Sequence, residues 1–255
     1  MKLSICINSV TGSLAKPEAI RLAKKLGYPA VEFWEGPALS PEETGVLKAV
    51  LSETGMAVAC MGGMRDLVDP ATRANSLEDL KAAIANAKTL GAKGMIALTG
   101  QELPGVSREA QHESIVDGLK EAAKLLEGTG LTLNLEPLNI LVNHKGYYLS
   151  TSAEAFEIVR KVASPNIKVL YDIYHQQITE GHLIANITAN IDLIGHFHVA
   201  GNPGRGEPYF GEINYAEVFK AIKAAGYERY VGLEYWPVVD GVEESLVKTL
   251  SVCFE

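Results

Sequence analysis

Short runs rich in Val, Ile, Leu and Met alternate along the chain with longer segments of helical periodicity. Apolar residues dominate most of these runs, which is typical of parallel strands whose two sheet faces are both covered by helices. The predicted strands are 2–8, 30–34, 56–61, 94–99, 131–136, 167–172, 193–199 and 230–235. Strict alternation of strand and helix predicts parallel strands joined by right-handed crossovers.

The predicted helices have recognisable ends. Ser40 is followed by a proline and, three residues on, by Glu43, which is the pattern of an N-cap with a capping box. Further N-caps are predicted at Ser107, Ser152 and Asn214. Glycines that end a helix in a left-handed conformation are predicted at Gly27, Gly55, Gly91, Gly130 and Gly226.

Eight strand–helix units in 255 residues match the size and strand count of a closed barrel. The predicted fold class is therefore α/β, a single (β/α)8 TIM barrel. A doubly wound open sheet is the alternative, but no GxGxxG sequence follows the first strand. No Pro- or Ser-rich linker and no break in composition divides the chain, so we expect one domain over residues 1–255.

Composition narrows the class of protein. Apolar residues make up 47% and charged residues 21%, as in a packed globular protein. The net charge of −8 disfavours a broad electrostatic surface for nucleic acid or anionic membranes, and no apolar run reaches the ~18 residues of a membrane span. Cys6, Cys60 and Cys253 are odd in number and lack CxxC spacing, which favours a reducing cytoplasm over a disulfide framework. The sequence leaves open whether the chain forms a homo-oligomer.

The barrel prediction directs attention to the C-terminal strand ends, where active sites of this fold lie. The last four predicted strands each carry an acid or an imidazole there. These residues are Glu136, Asp172, His198 and Glu234. The first four strands offer only Glu32 and Glu35, around the end of the second strand.

Three carboxylates and an imidazole that converge on one rim form a mixed oxygen and nitrogen site suited to Mn²⁺, Mg²⁺, Co²⁺ or Zn²⁺. Without a cation the carboxylates repel one another and their pKa values rise. Each residue also has a structural interpretation: Asp172 as a helix cap, and Glu234 as a salt-bridged rim residue. Alternation places His196 on the same side as His198 but one layer deeper, as a core histidine or as a residue that orients a ligand.

Two loops near these strand ends carry further polar groups. Arg205 lies in the Pro/Gly-rich segment 202–208 and suits a forked hydrogen bond to a carboxylate or hydroxyl oxygen; a solvated loop charge is the alternative. The segment 143–148 suits a loop that closes over a small polar substrate, and a loop without active-site contact is the alternative.

Four segments resemble a known family. They are LNLEPLN (133–139), YDIYHQQI (171–178), GHFHVAGNPGRGEPYFGEINY (195–215) and GLEYWP (232–237). They resemble hydroxypyruvate isomerases, which belong to the xylose-isomerase-like TIM barrels together with the ketose 3-epimerases. The resemblance spans essentially the whole chain, and its specific motifs lie in the C-terminal half.

The resemblance implies a role for six residues at matching motif positions. Glu136 and Glu234 would be the catalytic pair, and with Asp172 and His198 they would hold a divalent metal, Mn²⁺ or Mg²⁺ first and Co²⁺ or Zn²⁺ as alternatives. His175 and Arg205 would bind substrate oxygens. The chain departs from the hydroxypyruvate isomerase pattern at two places. Hydroxypyruvate isomerases often have Gln where His198 stands, whereas the ketose 3-epimerases have His there. The loop 140–148 also differs.

The expected reaction is proton transfer through an enediolate of a keto acid or ketose, with hydroxypyruvate to tartronate semialdehyde as the family's example. Proton return to the neighbouring carbon makes an isomerase, for hydroxypyruvate or a 2-oxo-tetronate, and return to the same carbon makes an epimerase. The sequence leaves these routes open. A metal-dependent abasic-site endonuclease and a non-catalytic sugar-binding barrel are the more distant alternatives.

Overall fold

The computed structural model describes the backbone of residues 1–254 and the side chains of residues 1–251, so Cys253 lies outside the described side chains. The strands are β1 (Lys2–Cys6), β2 (Ala30–Phe33), β3 (Ala57–Met64), β4 (Gly94–Ala97), β5 (Thr132–Leu135), β6 (Ile167–Asp172), β7 (Ile194–Val199) and β8 (Tyr230–Leu233). The helices are α1 (Ile7–Val10), α2 (Lys16–Lys25), α3 (Pro41–Thr54), α4 (Arg73–Leu90), α5 (Arg108–Leu126), α6 (Ser152–Val162), α7 (Ile173–Thr179), α8 (Leu183–Ala189), α9 (Tyr215–Ala224) and α10 (Val242–Phe254). A 3₁₀ turn, Ile191–Leu193, precedes β7.

The eight strands form a closed parallel barrel in chain order, which confirms the predicted fold class. Closure is made by β1, which pairs with β2 on one side and with β8 on the other, from Lys2 opposite Tyr230 to Ile5 opposite Leu233. The open-sheet alternative is therefore wrong. All strands run the same way, so their C-terminal ends meet on one face of the barrel.

One apolar core joins the strands to the helices outside them. Outward strand residues such as Phe197 pack against aromatic rings in the layer outside the barrel, Tyr171 of β6 and Tyr227 of the loop before β8 among them. Burying a side chain of this size contributes roughly 1.5–3 kcal/mol, so this layer holds the strand ends in place. Among the described residues, no helix is both long enough and apolar enough to cross a membrane.

The helix ends follow the sequence at most predicted positions. Ser40 Oγ accepts a hydrogen bond from Glu43 N at 3.2 Å, and Glu43 Oε2 accepts one from Ser40 N at 2.9 Å, which confirms the capping box. Gly55 and Gly91 end α3 and α4 in the left-handed conformation, with φ of 67° and 68°. Ser152 is not an N-cap: it is the first residue of α6, and the preceding Thr151 caps the helix by accepting from Glu154 N.

The first predicted strand is too long. β1 ends at Cys6, and residues 7–10 form the single helical turn α1. Hydroxyl groups stabilise this turn, because Thr11 Oγ1 donates to Ile7 O at 2.6 Å and Ser9 Oγ donates to Cys6 O at 3.3 Å. The turn directs Asn8 toward the end of β2, where its Oδ1 accepts from Trp34 N at 2.9 Å.

Candidate active site

The four strand-end residues predicted as metal ligands lie together at the C-terminal mouth of the barrel. One ligand atom from each of Glu136, Asp172, His198 and Glu234 lies within 4.8 Å of those of the other three, and all four side chains are buried. Asp172 and His198 are paired residues of β6 and β7. The structure therefore brings together side chains that are up to 98 positions apart in the sequence, Glu136 and Glu234 being the first and last.

Backbone hydrogen bonds aim both glutamates inward. Glu136 follows β5 and its N–H donates to Ala97 O at 3.1 Å, while Glu234 follows β8 and its N–H donates to Val199 O at 3.1 Å. Each bond extends the strand pairing by one residue beyond the strand. Because side chains alternate along a strand, both carboxylates share the inward face with the residues two positions earlier.

Asp172 serves a helix and the site at once. Its Oδ1 accepts hydrogen bonds from Tyr174 N at 2.8 Å and His175 N at 3.3 Å, which makes it the N-cap of α7. Its Oδ2 lies 3.4 Å from Arg205 Nη2, inside the cluster. The capping role expected as an alternative is thus real, and the second oxygen faces the site, where it accepts from Arg205.

The two glutamates have opposite electrostatic surroundings. Burial raises the pKa of Glu234, but the positive charges of His198 and Arg205 and the hydrogen bond from Trp34 hold it well below its usual range. Glu234 Oε2 accepts from Arg205 Nη2 at 2.5 Å and Oε1 accepts from Trp34 Nε1 at 2.7 Å. Among the described residues, neither an arginine nor a tryptophan donates to the Glu136 carboxylate, and burial, with the nearby Glu234 and Asp172, outweighs the lowering effect of His198 and raises the pKa of Glu136 to about 7.

His198 lies at the centre of these acids. Its Nδ1 is 3.4 Å from Glu234 Oε2 and 3.7 Å from Glu136 Oε1. Burial lowers the pKa of His198, but the carboxylates of Glu234 and Glu32 outweigh that effect and raise it well above its usual value. Neither ring nitrogen has a hydrogen-bond partner among the described residues.

Glu32 is a member of this network that sequence reasoning did not assign. Its Oε2 lies 2.7 Å from His196 Nε2 and its Oε1 lies 3.6 Å from His198 Nε2, so it holds both rings from below. His196 occupies the deeper layer, as its position in β7 predicts. Burial raises the pKa of Glu32, but the two histidines lower it to about 2. The signal in the sequence was a lone acid at an inward position of the apolar strand β2.

The donor set fits a divalent ion. Three buried carboxylates meet an imidazole whose Nδ1 points among them without a hydrogen-bond partner. A divalent cation takes such oxygen and nitrogen ligands and offsets the repulsion that raises the Glu136 pKa. These residues could therefore hold a metal.

His175 presents a hydrogen-bond donor to the pocket. Its Nδ1 accepts from Asn139 N at 3.3 Å and from Asn139 Nδ2 at 2.5 Å, so the ring hydrogen resides on Nε2. Burial lowers the pKa of His175 to about 4, so the ring is neutral near pH 7. Its Nε2 lies 3.4 Å from Asp172 Oδ2 but makes no hydrogen bond in the described part of the chain, and His175 lines the pocket above the acid cluster.

Arg205 is part of the site and not a solvated loop charge. Its guanidinium carbon lies 5.0 Å from the ring centre of Trp236 and 5.2 Å from that of Tyr174. The loop that carries Arg205 is hydrogen-bonded to the loop after β8, since Trp236 N donates to Arg205 O at 2.9 Å. The buried carboxylate of Glu207 strengthens the tie by accepting from Val238 N, Val239 N and Ser245 Oγ.

The cluster opens into a pocket of about 290 Å³. Its walls include the apolar side chains of Trp34, Met64, Leu98, Leu138 and Trp236. His144 also lines it, with its ring centre 5.1 Å from that of His175, so the loop 143–148 does contact the site. Arg65, directly after β3, is an exposed cation on the same wall that the sequence analysis did not identify.

Residues 20–249 match the family model described as xylose isomerase-like TIM barrel. The chain belongs to this family. It is 39% identical over 160 residues to hydroxypyruvate isomerase from Escherichia coli, an alignment that covers 63% of this chain and 62% of the relative. It is 30% identical over 222 residues to 2-oxo-tetronate isomerase from Cupriavidus necator, with 83% of each chain covered.

Among solved structures, a protein described as AP endonuclease, family 2, from Brucella melitensis superposes with a TM-score of 0.90 over 99% of both chains, at 25% identity. The curated relatives of this xylose isomerase-like barrel are named isomerases. The predicted resemblance and the prediction of an isomerase are confirmed.

Proposed function

We propose that this protein is a metal-dependent isomerase of a small 2-oxo-3-hydroxy acid, such as hydroxypyruvate, and that it acts through an enediolate. The observation that carries the proposal is the buried cluster of Glu136, Asp172, His198 and Glu234 at the base of a pocket that also holds two arginines. The names of the relatives at 39% and 30% identity support the same reaction class.

Asp172, His198 and the two glutamates would hold the metal. When bound there, a divalent ion would polarise a substrate carbonyl and stabilise the negative charge that develops next to it. His175 contributes independently of the ion, because its neutral Nε2–H donates to a substrate oxygen and does not compete for protons near pH 7.

Glu136 and Glu234 would move the proton. They follow strands β5 and β8, which are not neighbours in the barrel, so the two carboxylates approach a planar intermediate from different sides. One removes the hydrogen from the carbon that bears the hydroxyl, and a proton returned to the former carbonyl carbon completes the isomerisation. The hydroxyl hydrogen must also pass to the former carbonyl oxygen, and the same carboxylates lie in the pocket to relay it.

Arg65 supports an acidic substrate over a neutral ketose. Arg205 is already bonded to Glu234, whereas Arg65 makes no ion pair with any described side chain and is exposed on the pocket wall. A substrate carboxylate pairs well with an unpaired guanidinium, since charged hydrogen bonds of this kind are among the strong ones. We therefore assign the carboxylate of the keto acid to Arg65.

A ketose 3-epimerase is the second candidate. The observation in its favour is the same pair of carboxylates on non-adjacent strands, because one could remove a proton and the other return it to the opposite face of the same carbon. The endonuclease alternative gains no support from the site, whose pocket walls are largely apolar, or from the net charge of −8, which opposes the phosphate contacts that dominate DNA affinity.

The deciding experiment is a substrate panel. Hydroxypyruvate, a 2-oxo-tetronate, ketopentoses and ketohexoses are each incubated with Mn²⁺ and Mg²⁺ in D₂O, and products and deuterium incorporation are read by NMR. We expect turnover and deuterium wash-in with an oxo acid, both abolished by chelation. Turnover of a ketose to its C3 epimer would favour the epimerase, and metal-independent exchange would contradict the proposed site. The matched control is Glu136→Gln with metal retained, because this variant lacks one of the two carboxylates proposed to move the proton.

A further inference from the structure

The N-terminal mouth of the barrel, opposite the active site, contains a second cavity of about 230 Å³. The interior of a TIM barrel is normally filled by layers of branched apolar side chains. Here the bottom layer includes Ala59, Gly94 and Gly195, which leave that space open. Gly195 lies where the pairing of β6 with β7 shifts register, and a Cβ there would fall 2.0 Å from Asn134 Oδ1 and 2.7 Å from Lys168 Cβ.

Two cationic side chains line this cavity. Lys93, just before β4, and Arg229, just before β8, line it, and neither makes an ion pair with a carboxylate among the described side chains. Lys168 is paired with the cavity-lining Asn134 in the β5–β6 register, and its Nζ donates to the backbone oxygen of Asp192. Burial and the charge of Arg229 lower the pKa of Lys168, and the Asp192 carboxylate offsets this only in part. Such a group of cations is unexpected in a chain of net charge −8.

A buried acceptor belongs to another residue that lines the cavity, Asn134. Asn134 is fully buried and lines the cavity, and its Nδ2 donates to Met95 O at 3.0 Å. Its Oδ1 has no hydrogen-bond partner among the described residues. An unpaired buried acceptor is costly, so a donor on a bound molecule would relieve it.

We propose that this cavity binds a small oxyanion that also carries a hydroxyl group, with the anionic oxygens toward Lys93 and Arg229 and the hydroxyl toward Asn134 Oδ1. Hydrogen phosphate and 2-hydroxy acids share this chemistry. The site is separate from the acid cluster: His196 lines the cavity and its ring lies between the cavity and Glu32, one layer below His198. The inference does not depend on the reaction catalysed at the other mouth.

The test is calorimetric titration at constant ionic strength, with and without Mg²⁺, using inorganic phosphate, D-glycerate and sulfate as probes. Sulfate is the control anion because it carries no hydroxyl near pH 7. We expect phosphate or D-glycerate to bind one site at least ~10-fold more tightly than sulfate, since only they can donate to Asn134. Equal binding of sulfate would overturn the assigned role of Asn134.

Variants locate the site. The double variant Lys93→Ala/Arg229→Ala removes two exposed cations from the cavity and should weaken binding of the preferred probe at least ~10-fold. Lys48→Ala/Lys120→Ala removes the same charge from the exposed faces of α3 and α5 and should leave binding unchanged. If affinity is instead lost in Arg65→Ala and retained in Lys93→Ala/Arg229→Ala, the anion binds in the active-site pocket and the proposal is wrong. Absence of saturable binding of every probe overturns it as well.

Discussion

Exchanging each of the two glutamates for glutamine separates proton transfer from the charge balance of the site. Glutamine keeps the size of the side chain but cannot accept a proton, so Glu136→Gln and Glu234→Gln should each lower turnover at least ~10²-fold, as expected for a lost general base. The two variants should differ in stability. The reason is that Arg205 bonds Glu234 and not Glu136.

The magnitude follows from the contacts. In Glu234→Gln, the largely buried Arg205 loses the shorter of its two ion pairs and keeps only the 3.4 Å contact with Asp172. Breaking one side of a buried pair costs about 3–5 kcal/mol, and because Asp172 compensates part of the charge we expect the lower end, about 3 kcal/mol. At roughly 2–4 °C per kcal/mol for a domain of this size, the melting temperature of the metal-free protein should fall by about 6–12 °C. Glu136→Gln removes a carboxylate that repels Glu234 and Asp172, so its melting temperature should not fall.

The assay combines scanning calorimetry in a chelating buffer with turnover measured after metal is restored. Arg205→Met supplies the control, because in that background Glu234→Gln should cost at least ~1 kcal/mol less than it does alone. Equal melting temperatures for the two glutamine variants would refute the charge-balance argument. Near-normal turnover in either variant, with metal bound, would remove that glutamate from proton transfer.

Three further predictions test other parts of the molecule. Chelation should abolish turnover and lower the melting temperature, and Mn²⁺ should restore both. Asp172→Asn should weaken Mn²⁺ binding at least ~10-fold, as measured by calorimetry. A melting temperature that does not change with Mn²⁺ would count against the metal site. Arg65→Ala should raise KM for hydroxypyruvate about 10-fold, the lower end for a lost charged hydrogen bond, while KM for a neutral ketose stays unchanged; equal effects on both would contradict its assignment. Glu207→Gln should lower the free energy of unfolding in urea by about 1.5–3 kcal/mol, because the Glu207 carboxylate accepts from two backbone N–H groups and a serine. An unchanged urea midpoint would show that these hydrogen bonds between the two loops do not stabilise the protein.

The fold was predictable because its signals are local. Apolar runs, the capping box at Ser40 and glycines such as Gly55 each act within a few residues, and their alternation defines the barrel. The errors arose where a local pattern has two solutions. Residues 7–10 are apolar enough for a strand, but hydroxyl groups of Ser9 and Thr11 close them into a helical turn.

The site was predictable only as far as strand ends allow. Glu136 and Glu234 could be placed because the carboxyl ends of parallel strands meet. Glu32 lies inside a strand, and its contact with His198 depends on which layer each residue occupies once the barrel closes. The bottom cavity depends on the register shift beside Gly195, which no pattern in the sequence marks.

The divided carboxylate of Asp172 has a consequence for redesign. One oxygen fixes the first turn of α7, which carries His175, and the other faces the acid cluster. In the proposed site, metal binding and substrate placement therefore depend on the same side chain. A protein engineer who exchanges this residue for a softer ligand would also release His175, so a new metal at this mouth would come with a new substrate range.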